Sequence, residues 1–146
     1  MISMKVSVFG NPDLEKDNLV VKLLPRLKKK FPEIEFRLED PVEGLRPPPD
    51  VTSKWVIIDV GVPANVKAAG QEEIKVFDDV DKIEVKRRVG LHDYGLGMEL
   101  KLLEKLGKIK KLKIIVVPMK MRREKALQGV IKALRGVIPK ELRHKY

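Results

Sequence analysis

Trp55-Val56-Ile57-Ile58-Asp59 is the stretch on which the fold turns. Four large apolar residues stand in a row, three of them β-branched, and none offers a polar face to water. Such a run is the signature of a strand buried on both sides, as strands are in a parallel sheet covered by helices. The strand is expected to end in Asp59, with a Gly/Pro/Ala-containing segment following as far as Gly70.

Towards the N-terminus, Lys5-Val6-Ser7-Val8-Phe9 alternates and stops at the turn cluster Gly10-Asn11-Pro12, which predicts a first strand. After Asp17, a helix-capping residue type, Leu19, Val20, Leu23, Leu24, Leu27 and Phe31 recur at three- and four-residue spacing. This predicts an amphipathic helix ending near Lys30, kinked at Pro25. Ile34 to Leu38 alternates as a strand, and a stiff loop from Glu39 to Ser53 carries Pro47-Pro48-Pro49. Towards the C-terminus, Ile74 to Phe77 is a short apolar pulse, and an acidic turn (Asp78, Asp79, Asp81) leads into Ile83-Glu84-Val85, a further strand or edge. The loop Arg87 to Gly95 opens a helix with Leu96, Leu100, Leu103 and Leu106 on one side. Lys113 to Pro118 is the last strong strand, and a helix from about Arg122 to Gly136 should bury Leu127, Val130, Ile131 and Leu134. Strands alternating with helices predict an α/β fold with a mainly parallel sheet and helices on both faces.

The chain has 146 residues, which suits one domain spanning 1–146. Its 43% apolar and 36% charged residues fit a globular protein with a sizeable core and exclude collagen-like and disordered classes. With no cysteine there is no disulfide framework, thiolate nucleophile or cysteine zinc site. Two histidines, His92 and His144, nearly exclude chemistry that needs paired imidazoles. No secretory signal or membrane-length apolar run is visible, so the cytoplasm is the expected compartment and no membrane partner is expected. The abundance of charge resembles hyperthermophile composition. The net charge of +10 is uneven: residues 101–146 hold 15 Lys+Arg against 3 Asp+Glu, and residues 1–100 hold 16 against 18. Such a basic third suits nucleic acid or an acidic protein surface, but without aromatic residues between the lysines as a stacking platform it reads as a solvated face, and nucleic acid is not the expected partner.

Ligands of open α/β sheets bind beyond the carboxyl ends of the strands. Three polar points fall there: the Gly10 to Asp17 turn, Asp59, and His92 in the loop before a helix. Each has a plain structural explanation, as helix cap, solvated strand end and loop residue bonded to Asp93. Together they form an oxygen/oxygen/nitrogen set that suits a borderline divalent transition metal with positions left open for another molecule's ligands. Neither a G-x-G-x-x-G nor a Walker sequence is present, and no serine sits in a nucleophile-elbow context. Trp55 and Met98, Met119 and Met121 read as packing residues, His144 as a frayed terminus, and Arg87 and Arg88 as solvated loop charges.

Val8-Phe9-Gly10-Asn11-Pro12 followed by Asp17 resembles the first signature of the nickel-iron hydrogenase maturation endopeptidases. The strand ending in Asp59, then His92-Asp93-Tyr94-Gly95-Leu96, then Ile114 to Pro118 before the last helix, resemble the later signatures in order. The resemblance runs from Lys5 to Gly136 and implies a divergent member from an archaeal hyperthermophile. It implies a three-layer α/β/α sandwich around a twisted sheet of about five strands. It also implies a protease of aspartyl type that removes the C-terminal extension of a hydrogenase large-subunit precursor once nickel is in place. In that family two acids and a histidine contact the nickel, and the matching residues are Asp17, Asp59 and His92. The nickel arrives with the substrate, and no organic cofactor is implied.

The chain departs from the family pattern at Lys16-Asp17-Asn18, where two adjacent acids and a glycine are usual, at Val20, and at Glu39-Asp40-Pro41 in place of a glycine-rich turn. Two other classes stay open on the sequence: a non-catalytic hydrogenase assembly protein of the same fold, and an RNA-acting protein similar to peptidyl-tRNA hydrolases. The latter need a histidine soon after the Asn-Pro turn, and none occurs between Asn11 and His92. Metal-assisted and carboxylate-base mechanisms are equally compatible with these residues. The sequence is compatible with a monomer and leaves the oligomeric state open.

Overall fold

The computed structural model describes residues 4–9, 19–39, 43, 45–50, 52–63, 73–78, 85–87, 96–118 and 121–138, with backbone alone at 61–63, 85–87 and 96–98. The elements run β1 (Met4–Phe9), α1 (Leu19–Lys30), β2 (Glu35–Glu39), β3 (Lys54–Pro63), β4 (Lys75–Phe77), β5 (Val85–Arg87), α2 (Leu96–Lys105), β6 (Lys111–Pro118) and α3 (Arg123–Val137). One sheet holds the order β2-β1-β3-β6-β4, and β5 pairs with β3 off this path. The β1–β2, β1–β3 and β3–β6 pairs are parallel, whereas β4 runs antiparallel to β6 and β5 antiparallel to β3. The mainly parallel α/β sheet expected from the sequence is therefore present.

The continuous apolar run makes β3 a central strand because both of its faces are covered. Val56, Ile58 and Val60 join Val6, Val8, Ile115 and Val117 under α1 and α3. Trp55 and Ile57 join Phe9, Ile114, Val116 and Leu100 of α2 on the opposite side. Helices thus lie on both faces of the sheet. The three- and four-residue spacing in α1 buries Val20, Leu23, Leu24 and Leu27, and Pro25 sits on the exposed side of the uninterrupted helix. In α3 the buried stripe contains the expected Leu127, Val130, Ile131 and Leu134.

Four expectations need adjustment. Arg87, expected in a loop, is the last residue of β5, and Glu39, expected to open a loop, is the last residue of β2. The other two concern β3 and α2. The strand β3 does not stop at Asp59 but continues to Pro63, because β6 pairs with it as far as Gly61 and β5 takes up Val62 and Pro63. In α2 the helix ends at Lys105, so Leu106 turns outward and is 61% exposed while Leu100 is fully buried. Trp55 is core, as read from the sequence, and Met121 packs against the α1/α3 side. Met98 is described by its backbone alone; Met119, Arg88 and His144 lie outside the described residues. Among the described residues no helix is long and apolar enough to cross a membrane.

Candidate functional site

Side chains along a strand alternate between faces, so Trp55, Ile57 and Asp59 point to the α2 side of the sheet. Asp59 is 4% exposed. It stands opposite Val116 of β6, and on the other side Val8 of β1 pairs with Ile58 one residue earlier. Asp59 is therefore level with Phe9, where β1 ends, while β3 itself continues four residues further to Pro63. The Val60 amide donates to Asp59 Oδ1 at 2.9 Å. This bond fixes the orientation of the carboxylate and uses one of its roughly four lone-pair sites.

Of the three residues singled out from the sequence, Asp59 is placed, whereas Asp17 and His92 lie outside the described residues. The chain containing Asp17 leaves the end of β1 and enters α1 at Leu19. The chain containing His92 enters α2 at Leu96, and α2 packs through Leu100 on the face that Asp59 shares. Among the described residues no three of His, Cys, Asp and Glu come together as a metal-sized cluster.

A second buried carboxylate sits at the same edge of the sheet and was read from the sequence as a loop residue. Glu39 is the last residue of β2, pairs in register with Phe9, and is 9% exposed. Lys5 Nζ approaches Glu39 Oε1 at 2.7 Å and also donates to the Arg46 carbonyl at 2.6 Å. Glu39 Oε2 is buried with no hydrogen-bond partner among the described residues. Glu39 continues the alternation of Glu35 and Arg37 by one step, a pattern that extends the strand but places Glu39 with two exposed residues, so the sequence carried no signal of its burial. The ion pair forms one wall of a cavity of about 660 Å³ beneath the Pro47–Pro49 loop.

A mainly parallel sheet between helical layers, with an aspartate buried in its central strand beside the end of β1, defines a three-layer α/β/α protein with its candidate site beside that strand end. No family model and no curated protein matches the sequence. The structure is similar to the [NiFe] hydrogenase maturation protease HybD from Thermococcus kodakarensis, with a TM-score of 0.58 and 18% identity over 90% of this chain and 99% of that one. It is also similar to the hydrogenase maturating endopeptidase HybD from E. coli, with a TM-score of 0.57 and 17% identity over 92% of this chain and 93% of that one. The chain has the fold of the hydrogenase maturation proteases.

Proposed function

We propose that this protein is an endopeptidase of hydrogenase maturation: it removes the C-terminal extension of a nickel-iron hydrogenase large-subunit precursor after nickel insertion, by recognising the metal carried by that substrate. The observation that carries this reading is Asp59, a buried carboxylate held by a backbone amide in the central strand, level with the end of β1, of a fold shared with two hydrogenase maturation proteases. In sequence, His92 precedes the helix that packs on Asp59's side of the sheet, and Asp17 follows the neighbouring strand β1.

In this reading Asp17 and Asp59 offer oxygen and His92 offers nitrogen to a nickel ion whose remaining ligands belong to the precursor. The incomplete donor set is what selects a loaded substrate, because three weak ligands hold little metal alone. Contact with the ion places the scissile segment over the strand ends, where the metal or one of the two carboxylates activates water towards the peptide carbonyl. A carboxylate fixed in advance by the Val60 amide need not reorganise when substrate docks.

Nickel-loaded and nickel-free precursor incubated with the protein, with tail loss read by mass, tests this. The loaded precursor should be cut and the nickel-free one left intact. Asp59→Asn and His92→Ala should each slow cutting by about 100-fold or more, the scale of a lost acid/base or metal-binding group. Processing by both variants at the wild-type rate would overturn the assignment of these residues. Capture of the precursor without tail loss by the wild type would make the protein an assembly factor and not a protease.

A further inference from the structure

A second concavity lies away from Asp59, between α3 and the β4 side of the sheet, with a volume of about 1120 Å³. Four lysines line it: Lys54 and Lys113 from the starts of β3 and β6, Lys125 and Lys132 from α3. Lys54 stands opposite Lys111, and Lys113 opposite Val56, so the two lining lysines are diagonal neighbours on one face. Like charges placed this close repel one another, and an anion between them would relieve that repulsion. The sole acid among the described lining residues is Glu73, whose carboxylate is engaged by Lys75 at 3.4 Å. Lys54 has an internal role as well, donating to the Val137 carbonyl at 2.6 Å at the end of α3. Among the described residues no acid pairs with Lys113 or Lys132.

The floor of the groove is apolar: Ile74, Val76, Met121 and Ala133. Gly129 lets Ile74 pack directly against α3, since a Cβ there would run into Ile74 Cδ1. From Lys125 to Gly136 the helix wall is about 16 Å long at 1.5 Å per residue, the reach of about five residues of extended peptide at 3.3 Å each. A phosphodiester chain would leave that floor uncovered, and the described lining offers neither an aromatic ring nor an arginine on which a base could stack. An extended peptide that alternates acidic and apolar side chains satisfies both the lysines and the floor, with a flexible methionine adapting to the apolar residue.

We infer that the groove between α3 and β4 docks an acidic, amphipathic peptide segment of a partner protein, its carboxylates on Lys113, Lys125 and Lys132 and its apolar side chains on Ile74, Val76 and Ala133. This contact is separate from the reaction proposed at Asp59, and the two fail separately.

Fluorescence anisotropy with a labelled peptide alternating Glu and Leu, against the same peptide with Gln for Glu, tests it on the full chain. The acidic peptide should bind and weaken as salt is raised, and the Gln peptide should not bind. Lys125→Gln with Lys132→Gln, both exposed on α3, should weaken binding by about ten-fold, the effect of two partly exposed charge pairs. Lys113→Gln, tested separately, should weaken it further. Removing the same charge at the far edge with Arg37→Gln and Arg46→Gln should change it by less than about two-fold, since surface charges that distant are screened. Asp59→Asn should bind the peptide as the wild type does. Equal binding of the Gln peptide, wild-type binding by the α3 double variant, or an equal loss in the far-edge control would overturn the assignment. So would a single-stranded oligouridylate or inorganic phosphate binding through these lysines while the acidic peptide does not.

Discussion

The Trp55 indole and the Ser7 hydroxyl are both fully buried on neighbouring strands, and the indole N–H donates to Ser7 Oγ at 2.8 Å. Removing the acceptor leaves a buried donor with its desolvation uncompensated. Ser7→Ala is therefore expected to destabilise the fold by about 1–3 kcal/mol, read by urea unfolding on the protein's single tryptophan. Asp50 gives a second test at this scale. The Thr52 hydroxyl donates to Asp50 Oδ1 at 2.7 Å and the Thr52 amide at 2.9 Å, and these bonds hold the Asp50 carboxyl below its ordinary value. A depressed native carboxyl adds stability above its unfolded value, and that contribution disappears as the pH falls through the native one. Thr52→Val should bring the Asp50 titration part of the way back up, measured by carboxyl NMR, with the effect confined to acid. The same short-range chemistry explains how far the candidate site was legible. Asp59 stood out because a charge ended an apolar run, but Glu39 did not, because its burial depends on Lys5, 34 positions earlier in the chain.

Among the elements, those with a long periodic pattern were readable in place: β1, β2 and β6 within two residues, and α1 and α3 with their buried faces. The end of β3 was not. Gly61 and Pro63 are turn residues by local preference, yet β6 and β5 pair with the backbone there, and tertiary pairing outweighed the local signal. Short β4 and β5 carry too few residues for a period to show, so the sequence located the apolar pulses but not which strand each would pair with. The two glycines of α3 separate helix preference from packing. Gly136 has open space where a Cβ would go, and Gly136→Ala should raise stability by about 0.5–1 kcal/mol, the cost of a helical glycine relative to alanine. Gly129→Ala gains the same backbone preference but must push aside Ile74, which is packed on the core. Its melting temperature should rise less than that of Gly136→Ala, or fall, and calorimetry of the two variants side by side decides the matter.

For the molecule as a whole, the distribution of charge matters more than its pairing. Five ion pairs are formed among the described residues, and only Lys5–Glu39 is buried. The others, including Arg26–Glu124 between α1 and α3, are exposed, and such pairs contribute about 0–1 kcal/mol each at low salt and less at high salt. Against them stands a net charge of +10 whose excess lies in residues 101–146, part of it gathered on the groove beside α3. Salt weakens both terms, and the sign of its effect reveals which is larger. The self-repulsion is spread over many cations while the exposed pairs among the described residues contribute little each, so the melting temperature at pH 7 should rise as sodium chloride is added up to about 0.15 M, where the screening length is near 8 Å. The Lys125→Gln, Lys132→Gln double variant should begin higher at low salt and respond less, because it has lost part of the repulsion that salt would otherwise screen. A melting temperature that falls with salt would instead mean that the exposed pairs dominate, and that the lysines around the groove repel one another too weakly to favour an acidic occupant.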